Sequence, residues 1–495
     1  MTKEELYYLP ASELLKHIHT EKERLIKEKV IKKSKPLPPI TDEEKPYDLP
    51  EGWAWVRLDD CFTHIKNGAT IKQDKSLGGI PITRIETIAN YSVDREKMGY
   101  AGIQEIDKYL NYVLEDLDIL MSHINSVKYV GKCALYKKNE DEIIIHGMNL
   151  LSLRCNQLYL NPYYAYYYFN SIIFINSIQN IIKRAVNQAS MSITDLKMKL
   201  IPLPPLYIQD QIVQKLEQIS ETKDYLLSHA EYQFTYTKRM REALLQEMIR
   251  GELVTQNEHD EPASILLEKI KTEKERLIKE KVIKKSKPLP PITDEEKPYE
   301  LPSGWEWAKL GEIGYSTIGL TYSPKDVCSS GITILRSNNV KEGKINLINT
   351  ISVDKIVKEN LILKENDILL CSRNGSKALV GKGAIIKDIG IGMSFGAFMT
   401  VYRSICNPYI NYFIQSDFFR NQLEKCGTTT INQLTQDILL NIIIPLPPLS
   451  EQERIVAKLD ELMTNCDQLE AKAEEMKNYT IKLFESSLKE VFMPE

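Results

Sequence analysis

The chain has 495 residues, 43% of them hydrophobic and 27% charged, with a net charge of −4. That length exceeds what one ordinary hydrophobic core fills and points to two or more domains of a soluble globular protein. No apolar run approaches the eighteen or so residues of a membrane span, the start MTKEELYYLP has no secretory apolar core, and eight single cysteines without CxxC read as reduced cytoplasmic thiols rather than zinc ligands.

Ser12 is placed to cap a first helix that runs through the interleaved Glu and Lys of TEKERLIKEKVIKK until the prolines of SKPLPP stop it. LPEGWAW (49 to 55) then opens a block that holds LEDLDILMSHIN (114 to 125) and NPYY (161 to 164). Asn161 and Pro162 suit the cap and first position of a helix, and the tyrosine-rich run 163–168 suits helix packing better than base stacking. An Asn-Pro-aromatic motif also occurs in adenine methyltransferases, but no Gly-rich loop for a methyl donor precedes this one.

IPLPPLYIQDQIVQKLEQI (201 to 219) closes the block and leads into a long helix. Its predicted seam runs through Ile212, Leu216, Ile219, Leu226, Ala230, Met240 and Leu244, with Lys223, Gln233 and Thr237 as polar interruptions. The chain then repeats itself. Residues 272–299 copy residues 20–47 letter for letter, LPSGWEW (301 to 307) answers LPEGWAW, and Ser264 answers Ser12. A second, divergent block contains LKENDILLCSRN (363 to 374) and NPYI (407 to 410), for which Asn407 is again the expected cap. IPLPPLSEQERIVAKLDEL (444 to 462) closes it, and PLPP reads as a connector in both places. The last helix repeats a 4-3 spacing through Ile455, Leu459, Leu462, Cys466, Leu469, Ala473 and Met476, the mark of a coiled-coil seam. Roughly forty residues of helix make a rod of about 60 Å, and each long helix is the natural partner of the other.

The expected architecture is α+β: two mixed α/β globular domains separated by a long antiparallel two-helix coiled coil, with an internal, circularly closed pseudo-twofold repeat. The boundaries are a frame helix at 1–52, block one at 53–207, a central region at 208–304, block two at 305–449 and a C-terminal helix at 450–495. Block residues 53–200 carry 17 Lys and Arg against 15 Asp and Glu, and residues 305–443 carry 15 against 12, whereas 450–495 carry 6 against 11. Mildly basic blocks beside acidic helices favour the blocks as the parts that meet a polyanion.

Two unlike blocks, each opened by LPxGWxW and closed by IPLPPLxxQ and a long helix, with GELV (251 to 254) followed by DEPASxLL, resemble the specificity subunit of Type I restriction-modification systems. The resemblance covers nearly the whole chain. It implies two target-recognition domains, each reading one half of a bipartite, asymmetric double-stranded DNA site, and helices that space them and dock two modification (methyltransferase) subunits. Restriction (nuclease) subunits, cytoplasmic action and no membrane partner are implied with it. No catalysis and no cofactor are expected in this chain itself, S-adenosylmethionine, ATP and Mg belonging to the partners. The identical frames would then serve both halves alike, while the readers differ. A self-contained adenine methyltransferase and a coiled-coil scaffold without nucleic-acid contact are the alternative readings.

Arg and Lys suit guanine edges, Asn and Gln suit adenine, and Ser, Thr and Lys suit phosphates. The polar, Gly-bearing segments of block one offer Lys66, Asn67, Thr70, Lys72, Arg84, Ser122, His123, Asn125, Lys183, Arg184, Asn187 and Gln188 as DNA contacts. Those of block two offer Tyr322, Ser323, Lys325, Arg336, Asn338, Asn339, Arg373, Asn374, Lys377, Thr428, Thr429, Thr430, Asn432 and Gln433. No catalytic or metal-binding residue is expected.

Overall fold

A computed structural model describes the chain from residue 3 to residue 493, apart from 29–36, 75–76, 89–90, 186–187, 286, 342, 389 and 426–432. The chain divides into two compact units, residues 1–230 with 475–495 and residues 231–474. Both long helices cross the division, so each unit is closed by pieces drawn from distant parts of the sequence.

The frame helices span Ala11–Lys27 and Ala263–Lys279. Their cap positions are Pro10 and Pro262, which make no side-chain cap bond, so Ser12 and Ser264 lie inside the first turn rather than capping it. The second helix also stops before the predicted SKPLPP. Lys281 turns left-handed (φ 60°) and the Val282 amide bonds back to the Leu277 carbonyl at 2.9 Å, the Schellman closure. The matching stretch of the first copy lies outside the described residues. Leu14 and Ile18, like Leu266 and Ile270, stand one turn apart and enter the core of their unit.

In unit 1 the strand Ala54–Arg57 pairs antiparallel with Leu200–Leu203, setting Trp55 opposite Pro202. In unit 2 Glu306–Lys309 pairs with Ile443–Leu446 in the same way, with Trp307 opposite Pro445. Each block is therefore gathered at its two ends by one short ladder. The central sheets repeat one order as well: Phe62–Asn67, Leu150–Cys155, Ile119–Ser122, Cys133–Leu135 in unit 1, and Tyr315–Ile318, Met399–Arg403, Ile368–Cys371, Gly383–Ile385 in unit 2. The two DIL segments occupy equivalent inner strands. A buried ion pair fastens each: Arg154 Nε to Asp118 at 2.7 Å and Arg403 Nε to Asp367 at 2.8 Å. Unit 2 adds a second four-stranded sheet, and unit 1 a three-stranded one.

The helix at the NPYY segment is Pro162–Phe169, capped by Asn161, whose side chain accepts the Tyr163 amide. Tyr164, Tyr167 and Tyr168 are buried in the core, which settles the tyrosine run as packing. Asn407 departs from its expected role. It is buried, donates to the carbonyls of Asn366 (2.7 Å) and Tyr402 (3.0 Å), and leaves the cap position to Cys406.

The long helices are Leu206–Arg250 and Leu449–Phe492. In unit 1 Leu216 and Ala230 are buried while Ile212, Ile219 and Leu226 are half-buried, and Leu488 and Phe492 of the C-terminal helix share that core. Lys223 joins the seam by laying its ammonium 4.3 Å from the Phe484 ring centroid. In unit 2 Ile455, Leu459, Cys466 and Ala473 are buried, and Met240, Leu244, Leu462 and Met476, the last belonging to unit 1, are half-buried. Leu469 is a correction, being 41% exposed. The seam takes a four-residue step from Cys466 to Glu470, which pairs with Arg241 (3.3 Å) as Asp467 does (2.6 Å). Thr237 interrupts nothing either. It is buried, as is Thr480, because its hydroxyl bonds to the Gln233 and Phe234 carbonyls, both at 3.0 Å.

The circular closure appears bond for bond. In unit 2 the Tyr299 hydroxyl donates to the Ile249 carbonyl at 2.7 Å, and Tyr299 packs edge-on against Trp307. In unit 1 the Tyr47 hydroxyl donates to the Phe492 carbonyl, and Tyr47 packs edge-on against Trp55. What the chain does continuously around residue 250, it does with its two ends in unit 1. A chain permuted to begin near the exposed Gln256, with the native ends joined by a short flexible linker, is thus expected to melt within a few degrees of the natural one. A permuted chain that fails to fold contradicts the closed arrangement.

Candidate nucleic-acid interface

Beyond the inner strand of unit 1, the chain turns into Ile124–Asn125, which pairs with Gln188–Ser190, itself paired with Lys183–Ala185. This small sheet brings together groups some sixty residues apart in sequence. Lys183, Arg184 and Gln188 are exposed on it, and Asn125 lies opposite Ala189. Lys66 and Asn67 are exposed at the end of the strand Phe62–Asn67, with Thr70 and Lys72 exposed just beyond. Between them the backbone crosses itself so closely that a Cβ on Gly68 would lie 2.2 Å from the Gly147 carbonyl oxygen. Only glycine permits this crossing, and Gly319 against Gly396 repeats it in unit 2 at the same 2.2 Å. Arg84 is half-buried and pairs with Glu86 at 3.5 Å.

The equivalent place in unit 2 holds different chemistry. Arg373 bridges to Gln433 through the backbone, and its Nη2 donates to Gln433 Oε1 at 2.7 Å. Asn374 donates to Ser337 Oγ at 3.2 Å and accepts from the Ser376 amide, while Lys377 is exposed beside it. Asn338 and Lys325 are exposed and Tyr322 half-buried. Ser323 is exposed but already occupied, bonding Asp326 through both its amide (2.6 Å) and its hydroxyl (3.1 Å). Arg336 is held by donation to the Asn349 carbonyl at 2.7 Å.

Three predicted contacts are corrected by their depth. Asn339 is fully buried and clamps a loop, donating to the carbonyls of Asn346 (2.8 Å) and Ile348 (3.1 Å) and accepting the Arg336 amide. Ser122 is 1% exposed, with its hydroxyl taken by Asn125. His123 is also buried, and burial pushes its imidazole down to about 4, so it stays neutral and offers no cation to a phosphate. Asn187, Thr428, Thr429, Thr430 and Asn432 lie outside the described residues. Sequence reasoning passed over Phe398, 60% exposed beside Arg373. The signal available was the glycine crossing, which aligns His146-Gly147-Met148-Asn149 with Phe395-Gly396-Ala397-Phe398.

His123 is joined in unit 1 by the buried His146 and the half-buried His64. Burial, with the charges of Arg154 and Lys66 nearby, pushes His64 down to about 3, and burial lowers His146 as well. Because these folded-state values lie below the ordinary 6.5, acid protonates the unfolded chain first. Stability held above about pH 6.5 should then fall as pH drops toward about 4, by on the order of 1 kcal/mol per pH unit for each of His64 and His123, with His146 acting in the same direction. Unit 2 has a single histidine, the exposed His259. Hydrogen exchange measured at pH 7 and pH 5 should show unit 1 loosening ahead of unit 2, and equal loosening contradicts the assignment.

Among the described residues no helix is long and apolar enough to cross a membrane, and no group of three or more His, Cys, Asp or Glu could hold a metal ion. The family model described as the Type I restriction modification DNA specificity domain matches residues 50–229 and 302–477. The chain is 30% identical to the EcoAI specificity subunit of a Type I restriction enzyme from Escherichia coli, over 93% of this chain and 86% of that one. It is 30% identical to the putative MjaX specificity subunit of Methanocaldococcus jannaschii, over 83% of this chain and 87% of that one. A solved structure from work on complex assembly and conformational transition of the type I R-M system covers 91% of this chain and 100% of its own, at 20% identity and a TM-score of 0.60, a likeness of fold. With both blocks and their flanking ladders inside these matches, the chain belongs to the family of Type I restriction-modification specificity subunits.

Proposed function

We propose that this chain binds double-stranded DNA as the sequence-reading subunit of a Type I restriction-modification complex, block one on one half of a bipartite, asymmetric site and block two on the other. The observation that carries this reading is one scaffold bearing two sets of side chains. At the same place beyond the inner strand, unit 1 sets Ile124 opposite Ser190 and unit 2 sets Arg373 opposite Gln433. A pair of readers for an asymmetric sequence needs a common backbone with unlike hydrogen-bonding groups.

The frames suit the other task. Their helices present the same exposed ion pairs, Arg24 with Glu21 and Glu28 and Arg276 with Glu273 and Glu280, as two docking surfaces for two copies of one modification subunit would require. Methyl transfer from S-adenosylmethionine and ATP- and Mg-dependent cleavage reside on those partners and on the restriction subunits, and the complex works in the cytoplasm. The methyltransferase alternative has little support. Asn161 is spent on a helix cap and Asn407 is buried, so neither offers its side chain to a flipped base.

Selection of duplexes from a random pool by the full chain tests the reading. A two-part motif with a fixed gap is expected, with affinity falling steeply as salt rises. Binding without sequence preference, or no binding at low salt, counts against it.

A further inference from the structure

We propose that Phe398 and Arg373 together read a thymine next to a guanine in the half-site of block two, the ring packing on the thymine methyl and the guanidinium donating to the guanine edge. This deepens the DNA-reading function above and rests on it.

Phe398 is the wrong residue for a solvated surface. It is 60% exposed, Ile318 is 51% exposed, and both line one cleft with Arg373, Ser372 and Gln436. Its backbone is fixed, because the Phe398 carbonyl accepts the amides of Ser372 (2.9 Å) and Arg373 (3.1 Å), and Gly396 two residues earlier is locked in the glycine crossing. A rigid backbone lets an exposed ring keep its direction in the absence of packing around it.

The neighbour is equally set. Arg373 Cζ lies 5.7 Å from the ring centroid, and Gln433 Oε1 holds one end of the guanidinium. Among the described residues the fork makes no other side-chain bond, which leaves N–H groups to donate to guanine O6 and N7. The same contact decides how the ring can be used. A wedge driven between base pairs needs both faces bare. Here the guanidinium attends the ring, leaving it to lie sideways against an apolar group at a groove edge, and the thymine methyl is the apolar group that base pairs present in the major groove. Block one has Asn149 and Ile124 at the aligned positions, so this contact belongs to one half-site only.

The test uses the full chain and the two-part duplex it selects, with thymine in the second half-site replaced by deoxyuridine, which removes the methyl alone. The natural protein should lose about fourfold in affinity, while Phe398→Ala should bind both duplexes equally and Phe398→Leu should keep most of the preference. Arg373→Ala should lose about tenfold to a hundredfold of discrimination at the adjacent guanine. Indifference of the natural protein to deoxyuridine at every thymine of that half-site overturns the proposal, as does a Phe398→Ala loss spread equally over both half-sites with a lowered melting temperature. If the natural chain selects no motif, the DNA-reading function itself has failed and the proposal falls with it.

Discussion

Replacing Asp367 by alanine is expected to destabilise unit 2 by about 3–5 kcal/mol. Asp367 is buried and takes Arg403 in a two-pronged bond, Nε at 2.8 Å and Nη2 at 2.7 Å. The same guanidinium reaches the carbonyls of Asn360 and Ile362, both at 2.8 Å, so it ties the approach to the inner strand to its neighbour. Without the carboxylate a nearly buried cation keeps two carbonyls and no counter-charge, and the desolvation cost goes uncompensated. The equivalent change in unit 1 should cost less. Arg154 keeps Glu115 as a second carboxylate when Asp118 is lost, and it is more exposed. Hydrogen exchange at Leu369 and Val401, against Leu120 and Leu153, separates the two units in one experiment. Equal losses in both, or a loss below about 1 kcal/mol in unit 2, would show that the ion pair does not hold the sheet.

Exchanging residues 58–199 for the matching segment of another family member should replace one half of the recognised sequence entirely and leave the other half and the gap between them as they were. The cut points follow from the ladder. Arg57 pairs with Leu200, so both ends of the exchanged segment leave from adjacent positions in one two-stranded ladder that stays behind. Tyr164, whose hydroxyl donates to the Pro202 carbonyl at 2.7 Å, should be present in the donor segment, as Tyr409 is against Pro445 at 2.9 Å. Methylome sequencing of cells carrying the chimera reads the result. A change in both half-sites, or in neither, is incompatible with independent blocks.

The frames and seam were legible in sequence because they repeat: the same letters at the same offset predict the same helices, and a 4-3 spacing predicts a buried stripe. Depth was not legible. Asn339 and Asn338 are adjacent and chemically alike, yet one is fully buried and the other exposed, because the loop folds back on Asn339 through carbonyls seven and nine residues later. His123 and Ser122 stand two and three residues from the half-buried Asn125 and are covered by contacts that spacing does not encode. Leu469 lost its seam position to Glu470 because Arg241 on the facing helix supplies a charge partner. Residue type alone offers Lys183 and Asn125 as separate contacts, but only strand pairing across some sixty residues shows that they share a sheet. Phe398 is not legible as a reader in sequence because its ring carries no hydrogen-bonding group and its exposure is set by the fold.

The bond-for-bond closure at Tyr47 and Tyr299 bears on the gene. Twenty-eight identical residues at 20–47 and 272–299 offer a site for crossing-over within one coding sequence. An excision there stays in frame and leaves about half a chain: one frame helix, block two and the C-terminal long helix. Each interface in the full chain joins a frame segment to the end of a long helix, and that half-chain owns one of each. Two copies could therefore complete each other, Tyr47 of one meeting Phe492 of the other. We expect such a product to be a symmetric dimer and, with the same reader twice, to prefer an inverted palindrome. Sedimentation of the half-chain and selection of its duplex would show whether the gene can switch from an asymmetric address to a symmetric one by losing its middle.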